Sequence, residues 1–260
     1  MNFDYIIASG DSFTEGCKNI LQITEPNTWP GLLGKQLGIP WANLAEGGSC
    51  NYTIALQPVL HINDWCTKNP GQKPLLIFGF TIDDRIPYYD YRDGKLSSFY
   101  SPDPEYIKNS EHWILQQKVL LTNSRAGLDS NHNYISKCNI ERDGSGVAPV
   151  ITGFHYQTIQ AIQVAMNYKN LFKGAEVMWG FIHSHASERD IDDKFCMINE
   201  VPYKIKYPHM DHCFNRFLNN KPLQFLTRRE ETWISKRDCH PNLKGIELYK
   251  DFFADVISKI

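Results

Sequence analysis

Residues 5–16 run Tyr5-Ile6-Ile7-Ala8-Ser9-Gly10-Asp11-Ser12-Phe13-Thr14-Glu15-Gly16. Tyr5, Ile6 and Ile7 form an apolar run of the kind a buried strand uses. Ala8 to Ser12 are small or polar and suit a tight turn. A strand that ends in Gly-Asp-Ser sets a serine hydroxyl at the carboxyl edge of a sheet, where open α/β folds keep their chemistry. Two readings of that serine stand at this point. Ser12 is a nucleophile, or Asp11 and Ser12 only cap the next helix.

After Gly16, a loop to Asn27 is followed by a helix over Thr28 to Leu37. Asn27 or Thr28 can cap it, Pro30 fits its first turn, and Trp29, Leu32, Leu33 and Leu37 fall near helical spacing, with Gly38 as its end. Trp41 to Ala45 reads as a short strand and Glu46 to Asn51 as a glycine-rich turn. A second helix is expected over about Tyr52 to Trp65, with Ile54, Val59, Leu60 and Ile62 mostly inward. Pro74 to Phe80 is a continuous apolar run, the pattern of a strand buried on both faces. This β-α-β-α-β order argues for a parallel sheet with helices on its faces.

Residues 86 to 150 break that rhythm with turn-like stretches around one expected helix near Ser110 to Ser124. A long helix over Thr152 to Phe172 is next, with Ile159, Ile162, Val164 and Ala165 available to a core. A strand over Ala175 to Ile182 follows it. Phe195 to Phe225 is irregular and aromatic-rich. Leu243 to Ile260 reads as a closing helix with Ile246, Leu248, Phe252, Phe253, Val256 and Ile257 largely on one face. No repeat or linker interrupts the chain, so one domain over 1–260 is expected, with insertions at about 86–150 and 188–235.

Composition narrows the function. A chain of 260 residues that is 42% apolar can bury a sizeable core. A net charge of −2 leaves no electrostatic footprint for nucleic acid. No apolar run approaches membrane-spanning length, so no membrane partner is expected. Met1-Asn2-Phe3-Asp4 lacks the pattern of a signal peptide, which points to cytoplasmic synthesis. Seven scattered cysteines without a C-x-x-C pair read as free thiols of a reducing cell. In that setting the sequon Asn51-Tyr52-Thr53 carries no meaning.

Four short stretches fall at element ends of the expected sheet. They are Gly10-Asp11-Ser12, Asn43-Leu44-Ala45-Glu46-Gly47-Gly48, Gly79-Phe80-Thr81-Ile82-Asp83-Asp84-Arg85 and Asp238-Cys239-His240-Pro241-Asn242. In a parallel sheet all four can converge on one edge. Acyl transfer needs such a set. A serine hydroxyl is weak alone and needs a base, which His240 can supply. The imidazole needs orienting, and Asp238 is two residues away. The oxyanion needs donors in place: the backbone N–H groups of Ser12 and Gly48 are candidates, with the Thr81 hydroxyl a third. Each residue also has a plain structural reading. Ser12 or His240 can cap a helix, Gly48 can simply make a turn, and Thr81 and Arg85 are ordinary at a strand end and a surface.

These stretches resemble the four sequence blocks of the SGNH (GDSL-type) hydrolase superfamily. Gly10-Asp11-Ser12 matches the nucleophile block, Asn43 with Gly48 the glycine block, and Asp238-x-His240-Pro-Asn with Gly245 the terminal block. The resemblance implies a three-layer α/β/α sandwich similar to flavodoxin, with a central parallel sheet. It also implies a serine esterase or acetylesterase without metal or cofactor. Two positions depart from the family pattern. The third block normally holds an asparagine as oxyanion donor, where this chain has Thr81, a shorter side chain with one donor. Members with Gly-x-Thr and a following arginine imply Arg85 as pocket support, and Asp11 and Asn51 are carried in the same role. The acid normally stands three residues before the histidine. Arg237 is there instead, and Asp238 is one residue closer. If Asp238 points away, a Ser12–His240 dyad remains.

Other candidates fit less well. Gly10 to Gly16 has five residues between its glycines and then Cys17-Lys18, so it is not a phosphate-binding P-loop. His183, His185, His209, Asp211, His212 and Cys213 lack the spacing of a zinc site and read as loop or groove residues. Asp83-Asp84 could bind a cation, but such a pair is more often a solvated turn. The expectation is therefore a serine hydrolase of a small O-acyl ester, most plausibly an O-acetyl group on a carbohydrate. The aromatic-rich insertions would form the pocket walls. Two rivals are an acyltransferase or lipid-directed esterase, and a module with weak or no catalysis. The latter would bind carbohydrate or build a larger assembly, a homo-oligomer or a phage particle, and would then be virion-associated.

Overall fold

Four parallel strands make the central sheet of the computed structural model, which describes residues 3–81, 86–90, 95–99, 148–182, 195–198, 201–204, 207–235 and 238–260. In chain order the strands are β1 (Tyr5–Gly10), β2 (Trp41–Asn43), β3 (Pro74–Phe80), β4 (Ile86–Asp90), β5 (Lys95–Phe99), β6 (Glu176–Phe181), β7 (Phe195–Ile198), β8 (Val201–Lys204), β9 (Trp233–Ser235) and β10 (Asp238–Pro241). The sheet order is β2-β1-β3-β6, and β4–β5, β7–β8 and β9–β10 pair as separate antiparallel ribbons. The helices are α1 (Ser12–Glu15), α2 (Lys18–Leu21), α3 (Trp29–Leu37), α4 (Asn51–Leu56), α5 (Val59–Lys68), α6 (Ala148–Leu171) and α7 (Leu243–Ser258).

Period-two alternation in the strands sorts side chains into two cores. Ile6, Ala8, Leu75, Ile77 and Met178 meet Trp29 and Leu33 of α3 and Ile246, Tyr249, Phe253 and Val256 of α7. Ile7, Leu76, Phe78, Val177 and Trp179 meet Ile54, Ile62, Ile162, Ala165 and Tyr168 of α4, α5 and α6. The architecture is thus an α/β/α sandwich over a parallel sheet, as expected. In the order β2-β1-β3 the chain reverses direction between β1 and β3, which opens a crevice at their carboxyl ends.

Glycines align across that edge: Gly10 pairs with Gly79, and Gly79 with Gly180. Each admits a close neighbour. A Cβ on Gly10 would lie 2.2 Å from Thr14 Oγ1, one on Gly79 2.2 Å from Ile182 Cδ1, and one on Gly180 2.5 Å from Asn215 Oδ1. Asn215 itself closes the outer edge of β6. Its Oδ1 accepts from Phe181 N at 2.7 Å, and its Nδ2 donates to Phe181 O at 2.9 Å and Lys221 O at 2.8 Å.

Several expected boundaries shift. β1 continues through the small residues to Gly10, where a turn was expected from Ala8. Ser9 fits there because its hydroxyl reaches Ile54 O and Gln57 Oε1, each at 2.6 Å. The loop after Gly16 contains α2 and a 3₁₀ turn at Glu25–Asn27. β2 stops at Asn43. The single helix expected from Tyr52 to Trp65 is two, because Pro58 has no N–H to continue the first. Val59 and Leu60 consequently begin a new helix and are 40% and 80% exposed, not inward. Phe195 to Phe225 contains the β7–β8 hairpin and a series of 3₁₀ turns. The helix expected near Ser110 to Ser124 lies outside the described residues. No helix among the described residues is long and apolar enough to cross a membrane.

Cys213, under β6 and fully buried, donates to Asn215 Oδ1 at 3.4 Å. Burial pushes its thiol from 9.0 up to about 12. Below pH 9 both the folded and unfolded chains keep this proton, and above it the unfolded chain loses it first. Stability from this group is therefore full below pH 9 and lost as pH rises toward 12. The urea midpoint is expected to fall over that window in the wild type, and to fall less in Cys213→Ala. Parallel pH profiles for the two proteins would contradict this.

Candidate active site

The site starts with how β1 ends. Asp11, fully buried, accepts from Phe13 N at 3.1 Å and so caps α1, whose first residue is Ser12. Asp11 thus does the capping, and the Ser12 side chain does something else. Its Oγ lies 2.8 Å from His240 Nε2. With Nε2 unprotonated, the hydroxyl donates and the imidazole accepts. The two residues are 228 positions apart in the chain, so only the fold brings them together.

His240 is delivered by the β9–β10 hairpin, with a register irregularity between Asp238 and Pro241. The cap of α7 is Asn242, not His240. Its side chain accepts from Gly245 N at 3.1 Å and donates to Glu231 O at 2.9 Å and Trp233 O at 3.0 Å. Those bonds fasten the start of α7 to the hairpin. The Phe13 ring packs on the imidazole, with centroids 4.6 Å apart. Gly245 lets helix and hairpin close: a Cβ there would lie 2.7 Å from Pro241 Cβ and 2.8 Å from Thr232 O. Gly245→Ala is expected to cost about 1–3 kcal/mol by overpacking, read as a lower urea midpoint. It is also expected to lower any activity that needs the Ser12–His240 contact. A midpoint equal to wild type would contradict the packing argument.

The glycine loop reaches the same place. Leu44 N donates to Ala8 O at 2.8 Å and Glu46 N to Gly10 O at 3.2 Å, which carries the chain past the end of β1. Asn43 fixes its start, donating to Thr14 O at 3.0 Å and Thr28 Oγ1 at 3.3 Å and accepting from Ala45 N at 3.2 Å. Gly48 has φ +83°, a conformation glycine adopts without strain. A Cβ on Gly47 would stand 3.7 Å from Ser12 Cβ, so the loop lies directly against the serine.

At the end of β3, Thr81 is held by its own backbone. Its N–H donates to Asn51 Oδ1 at 2.8 Å, and its carbonyl accepts from Asn51 Nδ2 at 3.2 Å. Asn51 Nδ2 also donates to Thr158 Oγ1 of α6 at 2.9 Å. The Thr81 hydroxyl is fully buried and among the described residues has no hydrogen-bond partner. The Asp238 side chain and Arg85 lie outside the described residues, as do Arg237, His183, His185 and Asp83-Asp84. Among the described residues no three His, Cys, Asp or Glu side chains gather as a metal-binding group. His212 instead meets Asp211 at 3.4 Å.

One contact and one residue stand outside the sequence-based expectations. The Asn51 clamp on Thr81 is a contact between α4 and β3 that no local pattern reports. Glu15, whose Oε2 would lie 2.9 Å from a Cβ on Gly47, stands against the same stretch of the glycine loop as Ser12. Its signal was the three-residue spacing from Ser12 on one helix face.

No family model matches the chain, and no curated protein matches it in sequence. Several solved structures are similar to it in fold. One is a psychrotrophic esterase, EstA, from Pseudoalteromonas sp., with 10% identity and a TM-score of 0.41 over 98% of this chain and 97% of that one. Another is a member of the lipolytic protein G-D-S-L family from Veillonella parvula, with 14% identity and a TM-score of 0.39 over 98% and 99%. A third is an acetyl xylan esterase, Est2A, from Butyrivibrio proteoclasticus, with 9% identity and a TM-score of 0.47 over 100% of this chain and 64% of that one.

Proposed function

We propose that this chain is a serine hydrolase of carboxylic esters, with Ser12 as nucleophile and His240 as its base. The observation that carries the reading is the 2.8 Å contact between Ser12 Oγ and His240 Nε2 at the carboxyl edge of the sheet. A nucleophile paired to a base at hydrogen-bond distance is the signature of an activated serine. The resemblance of its sequence blocks to SGNH hydrolases supports the same reading.

In the proposed reaction Ser12 Oγ attacks the carbonyl carbon while His240 Nε2 takes the hydroxyl proton. The carbonyl oxygen becomes an oxyanion, held by the N–H groups of Ser12 and Gly48. The Thr81 hydroxyl is assigned as the third donor, since a buried O–H without a partner is stabilised by gaining an acceptor. Collapse of the intermediate breaks the ester C–O bond, and His240 returns its proton to the leaving alkoxide. Water then attacks the acyl-enzyme with His240 again as base, releasing the carboxylic acid and regenerating Ser12.

The acyl group we assign is small, acetyl first, because the Gly47 backbone stands against Ser12 and narrows that side. An O-acetylated carbohydrate is the natural form of such an ester to try. The test is release of nitrophenol from p-nitrophenyl acetate, followed in the first turnover. A burst of one equivalent followed by slower steady release is expected for an acyl-enzyme. A folded sample that releases none supports instead a binding or assembly module on the same fold.

A further inference from the structure

Glu15 occupies a position that the proposed reaction does not use. The point where a Cβ would sit on Gly47 is 2.9 Å from Glu15 Oε2 and 3.7 Å from Ser12 Cβ. Carboxylate and nucleophile therefore flank one spot above the glycine loop. Glu15 is partly buried. Its N–H donates to Asp11 O at 2.8 Å, while among the described residues its carboxylate has neither a hydrogen-bond nor an ion-pair partner. The stretches singled out at the sheet edge are mostly of its sign. Residues 10–17, 43–51, 79–85 and 238–242 contain Asp11, Glu15, Glu46, Asp83, Asp84 and Asp238 against one cation, Arg85.

We propose that Glu15 is a specificity-determining charge filter on this site. It favours esters that are neutral or cationic beside the scissile bond, and it disfavours esters carrying a carboxylate, phosphate or sulfate there. The inference rests on the hydrolase reading above. The chemical step itself creates an oxyanion and an imidazolium together, so its net charge is unchanged. Glu15 acts on the charge the substrate brings. Two unit charges about 6 Å apart alter an equilibrium or rate roughly three- to a hundredfold, depending on the local dielectric. The effect has opposite signs for a cation and an anion, so their ratio reports it most sensitively.

Three esters of one shape test this: 4-acetoxyphenyltrimethylammonium, methyl 4-acetoxybenzoate and 4-acetoxybenzoate. Rates are compared for each ester across variants, which removes differences in leaving group. Glu15→Gln is expected to lower the cationic-to-anionic ratio of kcat/KM about tenfold, and Glu15→Lys to invert it. In wild type the ratio is expected to shrink as salt is raised. Binding of the matching amides, 4-acetamidophenyltrimethylammonium and 4-acetamidobenzoate, is measured alongside by calorimetry. Esters cleaved at Ser12 with a ratio indifferent to Glu15 overturn the filter and leave the hydrolase reading standing. No ester cleavage, with Glu15-dependent preference for the cationic amide, overturns the hydrolase reading and supports the filter. No dependence on Glu15 in either assay overturns the filter.

Discussion

Ser12→Ala is expected to lower kcat/KM for p-nitrophenyl acetate by roughly 10⁴- to 10⁶-fold, the scale on which serine hydrolases lose activity with their nucleophile. The loss is chemical and not structural. Ser12 opens a helix whose cap is the Asp11 carboxylate, which accepts from Phe13 N, and alanine leaves that bond in place. The serine hydroxyl gives up only its bond to His240. The urea midpoint is therefore expected to stay within about 1 kcal/mol of wild type. Activity in Ser12→Ala within tenfold of wild type would place the nucleophile elsewhere.

His240→Ala is expected to cost about 10³- to 10⁶-fold in kcat, with KM little changed, because the imidazole moves a proton and is not needed to hold the ester. Its ring packs on Phe13 and its hairpin is fastened by Asn242, so the main-chain path survives truncation. The alanine variant leaves a gap beside Ser12 Oγ. Added imidazole is expected to enter that gap and restore part of the rate, with a dependence on imidazole concentration that saturates. Equal losses in kcat with no rescue, together with a lower urea midpoint, would show that His240 acts through the fold alone.

The sheet was readable from sequence because its strands announce themselves locally. Pro74 to Phe80 is apolar at every position since both faces are covered, and the observed strand has those same limits. The closing helix was equally legible, its apolar face meeting the sheet through Ile246, Phe253 and Val256. Ser12, Gly48 and His240 stood out in the sequence as residue types that acyl transfer would need at element ends, and the fold brings Ser12 Oγ and His240 Nε2 to 2.8 Å. What sequence could not show were contacts made across the fold. Asn215 sealing β6 is an ordinary asparagine until its tertiary partner is known, and Asn51, carried as pocket support, gives no local sign of its clamp on Thr81. The helix break follows from the missing N–H of Pro58, while the apolar Val59 and Leu60 suggest continuity and are in fact exposed. For Asp238 the i−2 spacing left its orientation open, and its side chain lies outside the described residues.

If Ser12 is an activated nucleophile, covalent labelling reads it directly. The folded protein is treated with a fluorophosphonate, digested, and the modified peptide identified by mass spectrometry. One phosphonyl group per chain is expected, on Ser12, absent from Ser12→Ala and strongly slowed in His240→Ala. An unlabelled protein, or a label that persists in Ser12→Ala, would contradict it.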